Sequence, residues 1–557
     1  MPKGALEAKP RMSQSPSFAV FAQGDAYSTA SKIMGRQAAG EGFVRGIGRS
    51  WPQGNLQIVT AGQLDRTELE ATLASGGFSG NVSWSKAPDY AGARAAGAIY
   101  FPAPPNVGMA RMRNRLGPSA FSIIGITHTI SSDRALDGLG ALALPPFKPW
   151  DALICTSKAA LSVVETLLEE VREELRAQIG AERFTKVQLP VIPLGINCDK
   201  FVCTPEQRAQ ARAALGLAED EVAVLFAGRL SFHAKANPGQ LYQALQAVSP
   251  DAKIVCLEAG LYPNNGIKQG FQEAQRALAP GVRFQHVPGD NNALYHAAWQ
   301  ASDIFTSLSD NVQETFGLTP VEAMAAGMPV IASDWNGYRD NVRHGLDGFL
   351  IPTLAPPPGA GEDLGVAVEA EQLSYDRQIG ILSLGVSVDS RSLEQALRAL
   401  VTDPALRRTM GDSAREHALR TFDWPVVMRS YQALTQQLAM IRTLGESQPA
   451  EAWPQRADPF RRFAGFATRA MANEDMVTLR PEGPAILETV ARLNVGKYAF
   501  DPLLMPEPIA MGYVRALRSG PATVGRLLAV SGGAVAPHQR MLAWLVKFGI
   551  VDVRPPQ

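Results

Sequence analysis

The densest group of residues that could do chemistry lies in the segment NVQETFGLTPVEAMAAGMPVIASDWNGYRDNVRHGLDGFLIP, residues 311–352. Glu314 lies in a loop, QETFG, directly before a predicted helix, and the first backbone amides of a helix can bind phosphate or sugar oxygens. Glu322 follows inside that helix. An ionised carboxylate accepts hydrogen bonds from two donors at once, which suits paired hydroxyl groups. The loop before this helix is therefore a candidate site for phosphate or sugar oxygens.

The same helix allows a purely structural interpretation of Glu322. Thr319 is predicted as the N-cap, Pro320 as the first helical residue, Glu322 as the third, and Gly327 as the stop. On this interpretation Glu322 is the acidic member of a capping box, a common signature. Glu314 has no comparable structural explanation.

A second group, VLFAGRLSFHAKANPGQL, covers residues 224–241. A predicted buried strand ends at Gly228, Arg229 and Lys235 follow in the loop, and Asn237 precedes a helix. Two cations at the carboxyl end of a strand, beside a helix N-terminus, are what a diphosphate group needs. The alternative is a solvated basic loop, and composition alone does not decide between them.

The first part of the chain offers weaker candidates. His128 follows a strand in GITHTISS, and a lone histidine is more often structural than catalytic. The segment 34–47, MGRQAAGEGFVRGI, is predicted as a glycine-bearing loop that runs into a helix and lets a ligand approach the backbone. It does not fit the GxGxxG pattern and is a weak motif by itself.

Short apolar runs alternate with helical segments, which predicts an α/β protein with buried parallel strands. The first block contains runs at 18–22, 56–60, 97–101, 122–127, 152–156 and 187–197, and the second at 223–228, 253–257, 282–287, 303–309 and 329–333. A long charged helix is predicted over 158–179 and another over 422–444. The two blocks predict two doubly wound domains that face each other, with ligands at the carboxyl ends of the strands.

The predicted boundaries follow shifts in composition. They are a disordered N-terminus at 1–17, domains at 18–205 and 206–445, a linker at 446–475 and a small module at 476–557. Residues 354–385, which begin rich in proline and glycine, are predicted to be an inserted loop.

Composition excludes several classes of protein. The 53 basic and 53 acidic residues balance, so no large net field is available to capture nucleic acid or a membrane. Four cysteines in 557 residues form no disulfide framework or paired metal motif, and are expected to be reduced. No apolar run approaches the roughly 20 residues that span a bilayer, and the N-terminus has no apolar signal core. We expect a soluble, cytoplasmic protein, with peripheral contact to the membrane left open.

On these residues the chain resembles the retaining glycosyltransferases of GT-B fold, glycosyltransferase family 4. The string ETFGLTPVEAMAAGMPVI carries the two glutamates at the family's spacing. The resemblance implies that Glu314 contacts the transferred sugar, that Glu322 binds the nucleotide ribose, and that Arg229 and Lys235 bind the donor diphosphate. It further implies that the backbone after Glu314 holds sugar hydroxyls or phosphate, and that Gly228 belongs to the donor site. The residues of that backbone run are Thr315, Phe316, Gly317 and Leu318.

The resemblance also makes His128 the leading candidate of the first domain and places Gly35, Arg36 and Gly40 in the family's glycine-rich loop. It implies transfer of a sugar from a nucleotide-diphosphate donor to an acceptor hydroxyl with retention, and a front-face mechanism. No metal or other cofactor is required by this scheme. The acceptor is expected to be a glycan or a lipid-linked glycan, in a bacterial envelope or polysaccharide context. The alternatives are another nucleotide-sugar enzyme of this fold, an epimerase or a phosphorylase, and a non-catalytic sugar-nucleotide sensor.

The C-terminal module is predicted to be small, mainly helical and similar to a winged helix. Residues 520–554 predict a helix, a turn, a second helix and a short strand. Its predicted core residues are Leu527, Leu528, Met541, Leu542, Leu545 and Val546. Because basic residues are few, the module favours a protein partner or dimerisation over nucleic acid.

Overall fold

The computed structural model describes residues 13–23, 26–27, 35–62, 66–445, 449–450, 452–497, 507–532 and 534–556. The chain divides into two compact units, Met1–Ala452 and Trp453–Gln557. Of the predicted disordered segment 1–17, residues 1–12 lie outside the described residues. Within 13–17, the Ser13 amide donates to Gln432 Oε1 at 3.1 Å, and the Ser17 and Thr435 hydroxyls are 2.9 Å apart.

The first half of the larger unit is built on a six-stranded parallel sheet. Its strands are β1 (Ala19–Ala22), β2 (Asn55–Thr60), β3 (Asn81–Lys86), β4 (Ala98–Tyr100), β5 (Ser122–Ile126) and β6 (Ala152–Ile154). Its helices are α1 (Gly35–Ser50), α2 (Arg66–Ser75), α3 (Ala91–Ala96), α4 (Val107–Leu116), α5 (Asp133–Gly140) and α6 (Lys158–Ile179). The strand order β3-β2-β1-β4-β5-β6 places the reversal of strand order between β1 and β4.

The second half repeats this plan. Its helices are α7 (Pro205–Ala214), α8 (Gly239–Val248), α9 (Asn265–Leu278), α10 (Asn292–Ala301), α11 (Leu318–Ala325) and α12 (Tyr338–Asn341). Its strands are β7 (Glu221–Ala227), β8 (Lys253–Gly260), β9 (Arg283–Pro288), β10 (Ile304–Ser307), β11 (Val330–Ser333) and β12 (Gly348–Ile351). The order β12-β11-β10-β7-β8-β9 places the reversal between β7 and β10. All of these strands pair in parallel, and the central ones are buried apolar runs.

Two edge strands were not predicted, and one predicted strand was wrong. β3 reads NVSWSK with every residue at least partly exposed, and β12 has only four residues, so neither contains the long buried run of a central strand. Residues 187–197 contribute only isolated bridges to β6, through Gln188 and Val191. Their prolines remove donors that a ladder requires.

The chain crosses between the two sheet domains twice, and the crossings pair with each other. The Ile196 amide donates to Phe422 O at 2.8 Å, and the Trp424 amide donates to Ile196 O at 3.1 Å. A Cβ on Gly195 would lie 2.4 Å from the Trp424 indole, so glycine is required for this close approach. Helix α17 (Trp424–Leu444), predicted to close the second domain, packs instead on α1 and β5 of the first.

The segment predicted as an inserted loop, 354–385, is an excursion that contains two helices. Two short strands that pair antiparallel lie at the start and at the end of the excursion. Two further helices follow before α17. The elements are β13 (Thr353–Leu354), α13 (Glu362–Glu369), α14 (Tyr375–Leu384), β14 (Ser387–Val388), α15 (Ser390–Thr402) and α16 (Pro404–Thr421).

The second unit is a small module with a three-stranded antiparallel sheet and short helices. Its elements are α18 (Pro459–Arg462), β15 (Met476–Leu479), α19 (Gly483–Val490), α20 (Asn494–Lys497), α21 (Glu507–Leu517), β16 (Ala522–Thr523), α22 (Val524–Ala529), α23 (Val535–Lys547) and β17 (Val551–Arg554). The helix, helix and strand predicted over 520–554 match α22, α23 and β17. Leu527, Met541, Leu542 and Leu545 are buried in its core, Leu528 packs beside it, and Val546 is exposed, against the prediction.

Candidate active site

The candidate site lies at the reversal of strand order in the second sheet. The loop after β7 carries Gly228, Arg229 and Lys235, and the loop after β10 carries Asp310 and Glu314. Because β7 and β10 are paired in parallel, their carboxyl ends meet at one edge of the sheet. Ligands of open α/β sheets bind at this position.

Gly228 and Arg229 shape the first of these loops. Gly228 has φ +133°, a conformation that strongly favours glycine. The exposed Arg229 guanidinium donates through Nη2 to Ala234 O at 2.9 Å and to Gln313 Oε1 at 3.1 Å. The cation is thus held by both loops and faces solvent, as a cation that receives an anionic ligand must.

Lys235 and Glu314 form an ion pair across the two loops, and their side chains are only 16% and 18% exposed. Burial alone would lower the pKa of Lys235, but the Glu314 carboxylate and the Tyr338 phenol raise it above its ordinary value. Burial would raise the pKa of Glu314, yet Lys235 and the backbone amides of Phe316 and Gly317 lower it. Both groups are therefore held ionised at the edge of the cleft.

Helix α11 begins earlier than predicted. Gly317, with φ +89°, is its N-cap, and a Cβ there would lie 2.0 Å from the Tyr338 ring. Thr319 is therefore inside the helix, and no capping box forms with Glu322. The structural interpretation of Glu322 is wrong, whereas Gly327, with φ +78°, follows the helix as predicted.

Glu322 is partly buried on α11, with nearby cations and a phenol around it. Burial raises its pKa to about 7, although the charges of Lys200 and Lys235 act in the opposite direction. The Glu322 charge in turn contributes to the raised pKa of Tyr295. Glu322 is therefore a carboxyl that changes protonation state near neutral pH.

The first domain reaches this site through the loop after β5. The Thr315 hydroxyl donates to the His128 backbone oxygen at 2.8 Å, and the Thr156 hydroxyl donates to Thr315 O at 3.4 Å. His128 thus lies beside the loop that carries Glu314. The structure therefore brings His128, predicted from the first domain, next to the residues predicted from the second.

The glycine-rich segment of the first domain differs from its prediction. Gly35, Arg36 and Gly40 lie in helix α1 and not in a loop, while Met34 is outside the described residues. A Cβ on Gly40 would lie 2.0 Å from the Ala26 carbonyl oxygen. This glycine is accordingly needed for close packing of α1 on the turn at residues 26–27.

Several polar residues that support the site were not predicted. Asn311 donates through Nδ2 to His233 O at 2.7 Å, Asn341 donates to Phe316 O at 2.6 Å, and the Tyr338 and Ser307 hydroxyls are 2.9 Å apart. Burial raises the pKa of Asp310 to about 7. Asn311, Tyr338 and Asn341 lie in the segment 311–352. The signal that could have identified them in the sequence is the presence of uncharged polar residues within an otherwise buried segment.

The described part of the chain contains neither a cluster of metal-ligating residues nor a membrane-spanning helix. No group of three or more histidine, cysteine or acidic residues there is arranged to hold a metal ion. Within the same residues, no helix is long and apolar enough to cross a membrane. All four cysteines are free, and Cys155, Cys198 and Cys256 are buried.

Two Rossmann-like sheet domains, with the candidate site where their loops meet, define a GT-B arrangement, which confirms the predicted fold class. Residues 207–356 match the family model described as "Glycosyl transferases group 1". The predicted resemblance to glycosyltransferases is therefore confirmed over this segment, which contains Arg229, Lys235, Glu314 and Glu322.

Curated relatives share part of the chain. D-inositol 3-phosphate glycosyltransferase of Geodermatophilus obscurus is 32% identical over 247 residues, 43% of this chain and 54% of the relative. The enzyme of the same name from Mycobacterium leprae is 28% identical over 312 residues, 54% of this chain and 67% of the relative. The chain thus spans about half to two thirds of the length of these relatives. Among solved structures, Anabaena HepE in complex with UDP gives a TM-score of 0.48 at 18% identity, covering 77% of this chain and 100% of HepE.

Proposed function

We propose that this protein is a retaining glycosyltransferase that moves a sugar from a nucleotide-diphosphate donor to an acceptor hydroxyl. The observation that carries the proposal is the buried Lys235–Glu314 pair beside Arg229, at the reversal of strand order in the segment that matches the glycosyl transferases group 1 model. Two cations and a carboxylate in this arrangement support a site that binds a diphosphate next to a sugar.

Departure of the nucleoside diphosphate is the step that most needs stabilisation. In the proposal Arg229 and Lys235 bind the diphosphate and stabilise the negative charge that grows on it as the sugar leaves. Arg229 is exposed to the cleft and already oriented by Gln313 and Ala234, so little reorganisation is needed when the donor binds. Both cations come from the chain itself, and the scheme routes no step through a metal.

The two glutamates are assigned to different parts of the donor. We assign Glu314, with the backbone of Thr315, Phe316, Gly317 and Leu318, to the sugar, and Glu322 to the paired hydroxyls of the ribose. Gly228 gives the diphosphate close access to the backbone because no side chain intervenes. His128, beside Thr315, faces the sugar and the acceptor. Closure of the two domains would exclude water that otherwise hydrolyses the donor.

We propose a glycan or lipid-linked glycan as the acceptor, in a bacterial biosynthetic context, with the protein in the cytoplasm and in peripheral contact with the membrane when the acceptor is lipid-linked. The name of the curated relatives makes D-inositol 3-phosphate one acceptor to include in a panel. The module 476–557 is proposed to bind a protein partner or a second copy.

Donor binding is tested by thermal shift with UDP-, GDP- and ADP-sugars. A donor that binds only the folded protein raises its stability in proportion to ln(1 + [L]/Kd), so one nucleotide class should raise the melting temperature. Glu322→Gln should weaken that shift, whereas Glu273→Gln, an exposed glutamate on α9, should not. No shift with any donor would contradict the donor site, and with it both the transferase and the sugar-nucleotide sensor.

Catalysis is tested by product analysis with and without acceptors. Transfer with retention predicts an acceptor-dependent product with the anomeric configuration of the donor, read by NMR. Conversion of the donor without an acceptor alcohol would indicate an epimerase, and phosphate-dependent conversion a phosphorylase.

The role of Arg229 is tested by Arg229→Ala. Loss of one preorganised donor to a developing charge should lower turnover about 100-fold. Because the guanidinium is exposed, we expect an unchanged melting temperature. Arg276→Ala, at an exposed arginine of α9, is the matched control. Near-normal turnover of folded Arg229→Ala would remove this residue from the mechanism.

A further inference from the structure

Helix α14 lies beyond the matched family segment, which ends at residue 356, and its inward face touches the candidate site. Tyr375 is half-buried, while Ile379 and Ser383, four and eight residues later, are buried, so this face of the helix is turned into the protein. A Cβ on Gly380 would lie 3.3 Å from His233 Cβ, in the loop between Arg229 and Lys235. The excursion therefore packs against the loop that carries the two cations.

Tyr375 connects this helix to both domains. Its hydroxyl is 2.8 Å from Ser131 Oγ, in the first domain, and 2.9 Å from Gln313 Nε2, in the loop that carries Glu314. Gln313 Oε1 in turn accepts from Arg229 Nη2 at 3.1 Å. A continuous path of hydrogen bonds thus joins the first domain to the exposed cation of the site.

The chemistry of the groups fixes the direction of this path. A guanidinium only donates, so the Gln313 oxygen must face Arg229 and its NH2 must face Tyr375. The Tyr375 oxygen accepts from Gln313, which leaves its proton for Ser131 Oγ. Removing that one hydroxyl frees the Gln313 amide to rotate and releases one of the two groups that hold the Arg229 guanidinium.

We propose that Tyr375 is a positioning residue for donor cleavage, which couples contact with the first domain at Ser131 to the orientation of Arg229 through Gln313. This inference rests on the proposed function, because Arg229 is assigned there to the leaving diphosphate. It gives the excursion 354–385 a role in catalysis that residues 207–356 alone do not provide.

The kinetic test compares Tyr375→Phe with Ser383→Ala. The first keeps the ring and its packing, and the second removes, on the same helix, a hydroxyl that bonds to Gly380 O. We expect Tyr375→Phe to lower kcat about tenfold and to leave the KM for the donor within twofold of the wild-type value. A tenfold loss is the size expected from one misaligned charge contact. The effect should disappear in a Gln313→Ala background, while Ser383→Ala stays within twofold of wild type.

Several outcomes would overturn the proposal. They are wild-type kinetics for Tyr375→Phe, a rise in KM with kcat unchanged, or an undiminished effect in the Gln313→Ala background. A merely structural role would lower the melting temperature in Tyr375→Ala and be rescued by phenylalanine, whereas a positioning role is not rescued.

A measurement without substrate separates this inference from the proposed function. In hydrogen exchange, peptides covering residues 311–318 should exchange faster in Tyr375→Phe than in Ser383→Ala, since the loop has lost its support. Unchanged exchange would contradict the inference. In one further outcome, the wild-type protein turns over no donor while exchange of residues 311–318 still becomes faster in Tyr375→Phe. In that case the proposed function is wrong, but the hydrogen-bond path through Tyr375 supports the loop as inferred.

Discussion

The two sheet domains each contain a buried ion pair, and the pairs differ in how completely they are satisfied. Arg113 and Asp151 of the first domain are both 0% exposed and meet through two parallel hydrogen bonds of 2.9 Å. Lys235 and Glu314 of the second domain retain 16% and 18% exposure and face the cleft. Both pairs belong to sheets with the same strand order, so topology alone does not explain the difference.

Backbone groups around the first pair form hydrogen bonds with both of its members, which closes the pair to a ligand. Asp151 also accepts from the Ile123 and Lys148 amides, each at 2.9 Å, and Arg113 donates to Phe121 O and Pro146 O. A charge pair with every group satisfied has little capacity left for a ligand. The second pair, open on one side and next to the exposed Arg229, has that capacity. We infer that the pair whose groups are all satisfied by the surrounding protein is structural, and that the more exposed pair, which is open on one side, is the functional one.

The largest expected effect comes from breaking the closed pair. Asp151→Asn leaves Arg113 buried without its counterion, which should lower the free energy of unfolding by about 3–5 kcal/mol. Denaturant unfolding measures this, with Asp220→Asn as control, because the Asp220–Lys253 pair is exposed and screened by solvent and should contribute far less. Equal losses from the two variants would refute the distinction between closed and exposed pairs.

Breaking the open pair should affect activity more than stability. Lys235→Met removes one of the two cations proposed to stabilise the leaving group, and should lower turnover by about 100- to 1,000-fold. It also leaves Glu314 buried without its cation, so some stability is lost. The double variant Lys235→Met/Glu314→Gln should recover stability but not turnover. Recovery of turnover in the double variant would show that the pair is structural, like Arg113–Asp151.

The sequence predicted the parts of this comparison that depend on local patterns. Helix α6 runs from Lys158 to Ile179 as predicted, because Ser157 caps its start and Gly180 adopts a left-handed conformation at its end. Arg229 and Lys235 were predicted from their place after a buried strand and Glu314 from its place before a helix, and the family resemblance implied one donor site for all three. The edge strands β3 and β12 were missed because neither contains a long buried apolar run.

Tertiary contacts account for the remaining differences. The motif Thr319–Glu322 fits a capping box, but Gly317 starts α11 earlier because its φ of +89° and the adjacent Tyr338 ring fix the turn. Helix α17 belongs to the first domain because the indole of Trp424 fits against Gly46 and Gly195, glycines far apart in sequence. Nothing in the local pattern around Tyr375 indicates that its hydroxyl reaches Ser131 and Gln313.

The smallest expected effect concerns Glu322, a carboxyl of the site that titrates near neutrality. Burial raises the pKa of Glu322 from 4.5 to about 7. Its contribution to the stability of the free protein is therefore fully present below pH 4.5 and lost as pH rises through about 7. Donor affinity should change in the opposite direction, because only the ionised carboxylate accepts from both ribose hydroxyls.

Calorimetric titration of the nucleotide-sugar identified by thermal shift measures this pH dependence. The sugar-linked diphosphate keeps its charge between about pH 5 and pH 8, so protein groups dominate the profile. Affinity at about pH 6 should be about tenfold below its plateau at higher pH. Glu322→Gln should flatten the profile, while Asp310→Asn, which removes the other acid with a pKa raised to about 7, should leave the inflection in place. An inflection that survives Glu322→Gln and disappears in Asp310→Asn would show that the ionisation of Asp310, and not that of Glu322, controls donor binding.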